Sequence, residues 1–342
     1  MAIIAQEFEQ LVTARGEKYC DFNELYEKSH EIKNKWINDI VVNEEKPNFE
    51  LDENMRFHYL TKDNKRKEAD ITNFGFSQLC ARMGIPTNYI QKCFKSGKEE
   101  LALQNFRAWA SETNKNMLVR ENDGVIRAVL SDSYTPFDSF QIIRSLKYTV
   151  DFGRWKLTQA YLSEDRMVLR FVDFEPLSVS DGSPLFLGFT VSSSDVGRGS
   201  LSIKMMLYRS VCTNGLLISS MGGTLYRKNH SGEGIGASKL QAFNHIFSGI
   251  DVTADEIVKN IEQCRGKMLK DYEMEMYMEK AKREIKLSEK SRKKLEELMA
   301  STYDRTKWGF INSMTELAQN FTLDTRLEME QWAGKLFAYV LW

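Results

Sequence analysis

The sequence predicts an α+β fold: a central antiparallel sheet with one helix packed on a face, flanked by N-terminal and C-terminal helical regions. Three observations predict it. Residues 113–236 alternate apolar runs with tight-turn dipeptides, as antiparallel strands do. Residues 1–112 and 237–342 mainly space their apolar side chains at three and four, the period of an amphipathic helix. The chain is 342 residues long, 42% hydrophobic and 11% aromatic, enough to bury substantial cores in two or three packed units and too much for a disordered chain.

The N-terminal region opens with two helical patterns, "FEQLVTARGEKY" and "DFNELYEKSHEIKNKWINDIVV". Residues 43–74 are charged and irregular, with one short strand expected around Met55 to Leu60. In "FSQLCARMGIPTNYIQKCFKSG" a break at Gly84-Ile85-Pro86 separates two amphipathic helices. Cys80 as small residue, Gly84 in the turn and a buried set of Leu79, Met83, Ile85 and Ile90 fit a helix-turn-helix, with Arg82, Lys92, Lys95 and Lys98 making it locally basic. A generic helical hairpin explains the same pattern.

In the middle region "NMLVRENDGVIRAVLSDSY" is two apolar runs joined by Asp123-Gly124, whose tolerance of positive φ suits a tight hairpin. "TPFDSFQIIRSLKYTV" starts at Pro136 and sets Phe140, Ile143 and Leu146 on one helical face. A second hairpin turns around Ser163-Glu164-Asp165, and a third carries the glycine-rich loop "SSSDVGRGS". "LYRSVCTNGLL" then poses a question: a cysteine nucleophile in a catalytic loop, or a strand ending in a turn. No histidine is marked as a base for Cys212, and Asn214-Gly215 suits a left-handed turn, which favours the strand. The C-terminal region resumes the helical period, with Thr253 and Glu256 as a capping box, and closes on two helices, "YDRTKWGFINSMTELAQNF" and "TRLEMEQWAGKLFAYVLW".

Charge and cysteine usage narrow the function. The formal net charge is −1, so there is no global basic field and any polyanion site is a local patch. Five cysteines without a CxxC spacing argue for reduced thiols in a cytoplasm. Four scattered histidines give no zinc pattern, while a carboxylate-held Mg²⁺ stays open. The N-terminus carries acids and no long apolar run, so neither a signal peptide nor a membrane span is expected.

The candidate site residues fall in the middle hairpins. Arg127, Arg198, Lys204 and Arg209 are cations suited to phosphate, with Asn214 beside them. Gly197 and Gly199 allow close backbone approach to an anion, although a simple hairpin tip fits as well. Tyr134 is placed to stack a base or to pack across its hairpin. Lys307 and Trp308 precede an amphipathic helix, where Trp308 reads as a core anchor or a stacking platform, and Asn312, Thr315 and Glu316 fall on its polar side. Asp132, Asp138 and Asp195 are the acids available to a divalent ion.

Four motifs in order, "FSQLCARMGIPTNYI", "RAVLSDSYTPFDS", "GFTVSSSDVGRGSLSIKMMLYRSVCTNGL" and "TKWGFINSMTELAQN", resemble the phage- and plasmid-borne family of domain of unknown function 932, over about residues 74–334. Asp195 stands where that family would show glutamate. The resemblance implies a mobile-element protein in a bacterial cytoplasm, among DNA-handling genes, and no settled activity. Three functions are therefore carried forward. The preferred one is binding of single-stranded DNA, of the single-strand annealing type, by a homo-oligomer whose basic groove tracks the backbone. The second is a metal-dependent phosphodiester or nucleotide hydrolase, and the third a counter-defence inhibitor that binds a host protein.

Overall fold

A computed structural model describes residues 17–19, 21–43, 47–113, 115–163, 165–179, 185–209, 214–218, 224–228, 255–301 and 303–338. The fold is α+β, with two sheets rather than one. The first sheet has seven strands: β1 (Glu17–Tyr19), β8 (Trp155–Leu162), β9 (Met167–Leu177), β10 (Leu185–Ser193), β11 (Leu201–Arg209) and β12 (Asn214–Ile218) in that order, with β13 (Thr224–Lys228) also paired to β11. Every pairing in it is antiparallel. Two of the three expected hairpins lie in this sheet, β8–β9 and β10–β11; Asn214 and Gly215, expected in a turn, are instead paired in β12 with Arg209 and Tyr208 of β11, and Cys212 lies outside the described residues.

Alternation decides what the first sheet buries. Leu169 and Phe171, Leu187, Phe189 and Val191, and Ile203, Met205 and Leu207 share one side and one core. The rings of Phe171 and Phe189 stack across the strand pair with centroids 4.8 Å apart. Each such side chain removed from water contributes about 1.5–3 kcal/mol. Between β9 and β10 the register slips at Gly188, where an added Cβ would stand 2.5 Å from the Phe171 carbonyl oxygen. Only glycine lets the two backbones approach so closely.

The second sheet corrects the expectation of a mainly helical N-terminal region. Its six strands run β2 (Trp36–Val41), β6 (Met117–Asn122), β7 (Val125–Ser131), β5 (Arg66–Ile71), β4 (Phe57–Leu60) and β3 (Phe49–Leu51), with β5 and β7 parallel. The predicted helix from Asp21 stops early: α1 spans Phe22–Asn34, capped by Asp21 accepting from the Asn23 and Glu24 N–H groups, and "WINDIV" pairs with β6. Its β-branched residues suit a strand, and β6 supplies the partner. Three strands replace the single one expected in residues 43–74, because their charged side chains find partners elsewhere on the sheet. Arg66 with Glu50, Arg56 with Glu68 and Lys67 with Asp39 pair at 2.6, 2.9 and 2.7 Å.

One face of this sheet is covered by α2 (Asn73–Arg82), α3 (Thr87–Lys95) and α4 (Glu99–Ala110). The predicted buried set Leu79, Met83, Ile85 and Ile90 is all in that core, and Gly84 turns between α2 and α3 with φ +71°. Asp123 and Gly124 have φ 57° and 73°, so the β6–β7 hairpin closes as its dipeptide predicts.

The α5 helix (Ser139–Thr149) begins three residues after Pro136, with Asp138 as N-cap, and packs Ile142, Ile143 and Leu146 into the core of the first sheet. The long C-terminal helical run breaks into helices at 255–266 (α6), Asp271–Glu284 (α7) and Glu289–Ser301 (α8), followed by α9 (Lys307–Ala318) and α10 (Leu323–Ala338). The Thr253 cap lies outside the described residues. These helices complete the first core, and α9 is buried on nearly all sides. Strands from the N-terminal 112 residues enter both sheets: β1 pairs with β8, and β2 with β6. No described helix is long and apolar enough to cross a membrane.

Candidate functional site

The two sheets meet at Arg120, the one arginine in β6. Its side chain is fully buried. The guanidinium lies 4.2 Å from the Trp36 ring, donates from Nε to Asn38 Oδ1 at 2.8 Å, and pairs with Asp138 at 2.8 and 2.9 Å. It also donates to the backbone carbonyl of Asp195, in the β10–β11 loop of the other sheet. Asp195 Oδ1 accepts from the backbone N–H and the hydroxyl of Ser139 at 2.8 and 2.7 Å. Burial, with the Asp138 charge beside it, pushes the Asp195 carboxyl up to about 7, against the pull of Ser139 and Arg120. Tyr134 covers the cluster, its hydroxyl 3.4 Å from the Ser194 carbonyl, and burial raises its proton affinity.

This joint corrects two expectations. "SSSDVGRGS" is not a free hairpin tip: Ser194, Asp195 and Val196 are buried between the sheets, and its second half, from Gly197, reaches the surface. Gly197 sits at φ +77°, where a Cβ would stand 2.6 Å from Leu130 Cδ2. Nor do the three acids form one ion-binding set. Asp138 is tied to Arg120, Asp195 to Ser139, while Asp132 is exposed, with its charge felt by Arg82. Among the described residues no three metal-ligating side chains converge. Sequence reasoning missed Arg120; its one signal is a lone arginine inside "MLVREN", which a strand buried on both faces tolerates only with counter-charges.

The predicted cations do not gather on one surface. Lys204 Nζ reaches Gln331 Oε1 of α10 at 2.8 Å, away from the β10–β11 loop. Lys307 opens the buried helix α9 and is 2% exposed, and burial lowers its affinity for a proton. Trp308 is the core anchor, its ring 6.0 Å from Phe337. Lys307 and Trp308 are both buried. Asn312 and Thr315 bond to carbonyls of their own helix and Glu316 accepts from Tyr303, so these residues close no site. Tyr134 packs in the joint rather than offering a free ring. The side chains of Arg209 and Asn214 lie outside the described residues.

Arg127 and Arg198 are brought together. They line a groove of about 570 Å³ with Ile71, Thr72, Asn73, Phe74, Ser77 and Asp165. Arg127 comes from β7 and Arg198 from the β10–β11 loop, so each sheet contributes one cation. The first turn of α2 forms a wall. Thr72 caps it by accepting from the Gly75 N–H at 3.1 Å, and Gly75 presses against the Arg127 backbone, where a Cβ would stand 3.3 Å away. Arg198 lies 5.6 Å from the Phe74 ring and pairs with Asp165 and Asp324, and Arg166 also pairs with Asp324. These pairs are substantially exposed, and such bridges contribute about 0–1 kcal/mol each, so an incoming anion can replace them.

A second buried ion cluster lies under α10. Arg170 of β9 pairs with Glu330 at 2.5 Å, and Arg326 donates to the same carboxylate at 2.8 Å. All three side chains are almost wholly buried. The cluster ties α10 across the sheet.

The family model for a domain of unknown function (DUF932) matches residues 128–334, and the chain belongs to that family. The matched segment contains Tyr134, Asp138, Ser139 and Asp195 of the joint, while Arg120 precedes it. No curated protein and no solved structure matches the chain.

Proposed function

We propose that the protein binds single-stranded nucleic acid, with a backbone phosphate seated in the groove between the two sheets. One observation carries this: Arg127 and Arg198, from different sheets, line one concavity with the N-terminal turn of α2 and the Phe74 ring. Guanidinium groups and a helix N-terminus both favour a phosphate, and an aromatic edge beside them favours a base. Ser77 and Asn73 add neutral hydrogen-bonding groups. The near-neutral chain then requires binding to be local rather than driven by a general field.

The test is fluorescence anisotropy of a labelled oligothymidylate across a salt series. Each phosphate contact contributes a slope of roughly −0.7 in log K against log salt for a single strand. The Arg127→Ala and Arg198→Ala variants are expected to weaken binding and to flatten that slope. Absence of binding, or binding that neither variant changes, overturns the proposal.

A further inference from the structure

Beyond the groove, we infer that the same strand crosses α3 and lays further bases on an exposed aromatic platform built by Tyr89 and Trp109. This rests on the groove being a phosphate site. The surface is continuous. Gln91 Nε2 on one flank of α3 lies 3.5 Å from Asn73 Oδ1, a groove-lining residue. Asn88, Lys92 and Lys95 form the outer crest of α3, opposite the buried Ile90 and Cys93. On the other flank Tyr89 is 40% exposed, and its hydroxyl accepts from Asn105 Nδ2 at 2.7 Å, which holds the ring in place. Leu101, Asn105 and Trp109 recur every four residues along one face of α4, with Leu101 47% and Trp109 49% exposed.

A single exposed aromatic residue is ordinary, but three large apolar side chains on adjoining helical ridges make a patch. Its charge fits the occupant. From position 82 to 109 the chain carries five basic residues, Arg82, Lys92, Lys95, Lys98 and Arg107, against Glu99 and Glu100, a surplus of three in a chain whose net charge is −1. Among the described residues, Lys92, Lys95 and Lys98 take part in no ion pair. Unneutralised ammonium groups between a phosphate groove and flat aromatic rings match a strand with alternating phosphates and bases. An acidic protein offers the charge without the bases, and a duplex keeps its base faces stacked away from the platform.

The experiment compares oligothymidylates of ~4 and ~12 nucleotides, spanning the site sizes of single-strand binding folds, on the full chain. The longer strand is expected to bind at least about tenfold tighter, because stacking one base contributes about that much. A Lys92→Ala, Lys95→Ala double variant should flatten the salt slope for the long strand by roughly 1.4, at ~0.7 per phosphate, and leave the short strand unchanged. Trp109→Ala should cost the long strand about tenfold with an unaltered circular dichroism spectrum. If both lengths bind equally, the track is wrong and the groove stands. If neither binds, both fall. A duplex of the same length binding as tightly as the long strand refutes the stacking platform.

Discussion

Asp195 is the second acid at a site with one cation, and its titration gives the sharpest test of the joint. Arg120 spends its guanidinium on the Asp138 carboxylate, Asn38 and the Asp195 backbone carbonyl, so it forms no hydrogen bond to the Asp195 carboxylate. Among the described residues that carboxylate's hydrogen-bond donors both come from Ser139, and burial raises it from 3.8 to about 7. Between those two values the native protein holds a proton that the unfolded chain has released. Stability must therefore fall as pH rises through that window and stay level above it. A shift of roughly three units, at about 1.36 kcal/mol each, sets the loss at about 4 kcal/mol. Asp195→Asn keeps an oxygen acceptor for Ser139 and cannot ionise. Urea unfolding of both proteins from below pH 4 to above pH 8, followed by tryptophan fluorescence, is the assay. The variant should match the wild type at the acid end and exceed it by up to about 4 kcal/mol at the alkaline end. A stability difference that does not change with pH would refute the argument.

Glu330→Gln leaves Arg170 and Arg326 buried without their shared counter-charge. It should lower unfolding stability by about 3–5 kcal/mol, read as a fall in the urea midpoint. Gly188→Ala places a methyl group 2.5 Å from the Phe171 carbonyl and should destabilise by about 1–3 kcal/mol. Gly199→Ala, with nothing within 4 Å of the new atom, should leave the thermal midpoint unchanged.

The long strands of the first sheet are legible because their apolar runs alternate over most of their length and their turns carry the residues that turns need. The loop at Gly197 adopts the positive φ that glycine tolerates, as Asp123-Gly124 does in the β6–β7 hairpin of the second sheet. The second sheet was largely hidden. In β5, Arg66, Lys67, Glu68 and Asp70 resemble a solvated segment, and their cross-strand partners come from β2, β3 and the segment around Arg56. "WINDIV" follows a helix without a glycine or proline break, so only the presence of β6 beside it makes it a strand.

Among the site residues, shared sequence parity did not predict shared location. Arg198 and Lys204 are an even number of residues apart, yet a loop intervenes and α10 engages Lys204. Lys307, adjacent to a tryptophan, looked like a surface cation, and the all-round burial of α9 removes it from solvent.

By itself the sequence determined what local chemistry dictates: the α+β class, the hairpin turns, the buried set of the α2–α3 pair and the absence of a strong overall field. Tertiary structure alone decided which distant side chains became neighbours. It put Arg120 between Trp36, Asp138 and the Asp195 loop, set Arg127 opposite Arg198, and buried Lys307. The reason is physical: backbone propensities act over a few residues, whereas the cost of burying a charge depends on the surroundings the whole chain assembles.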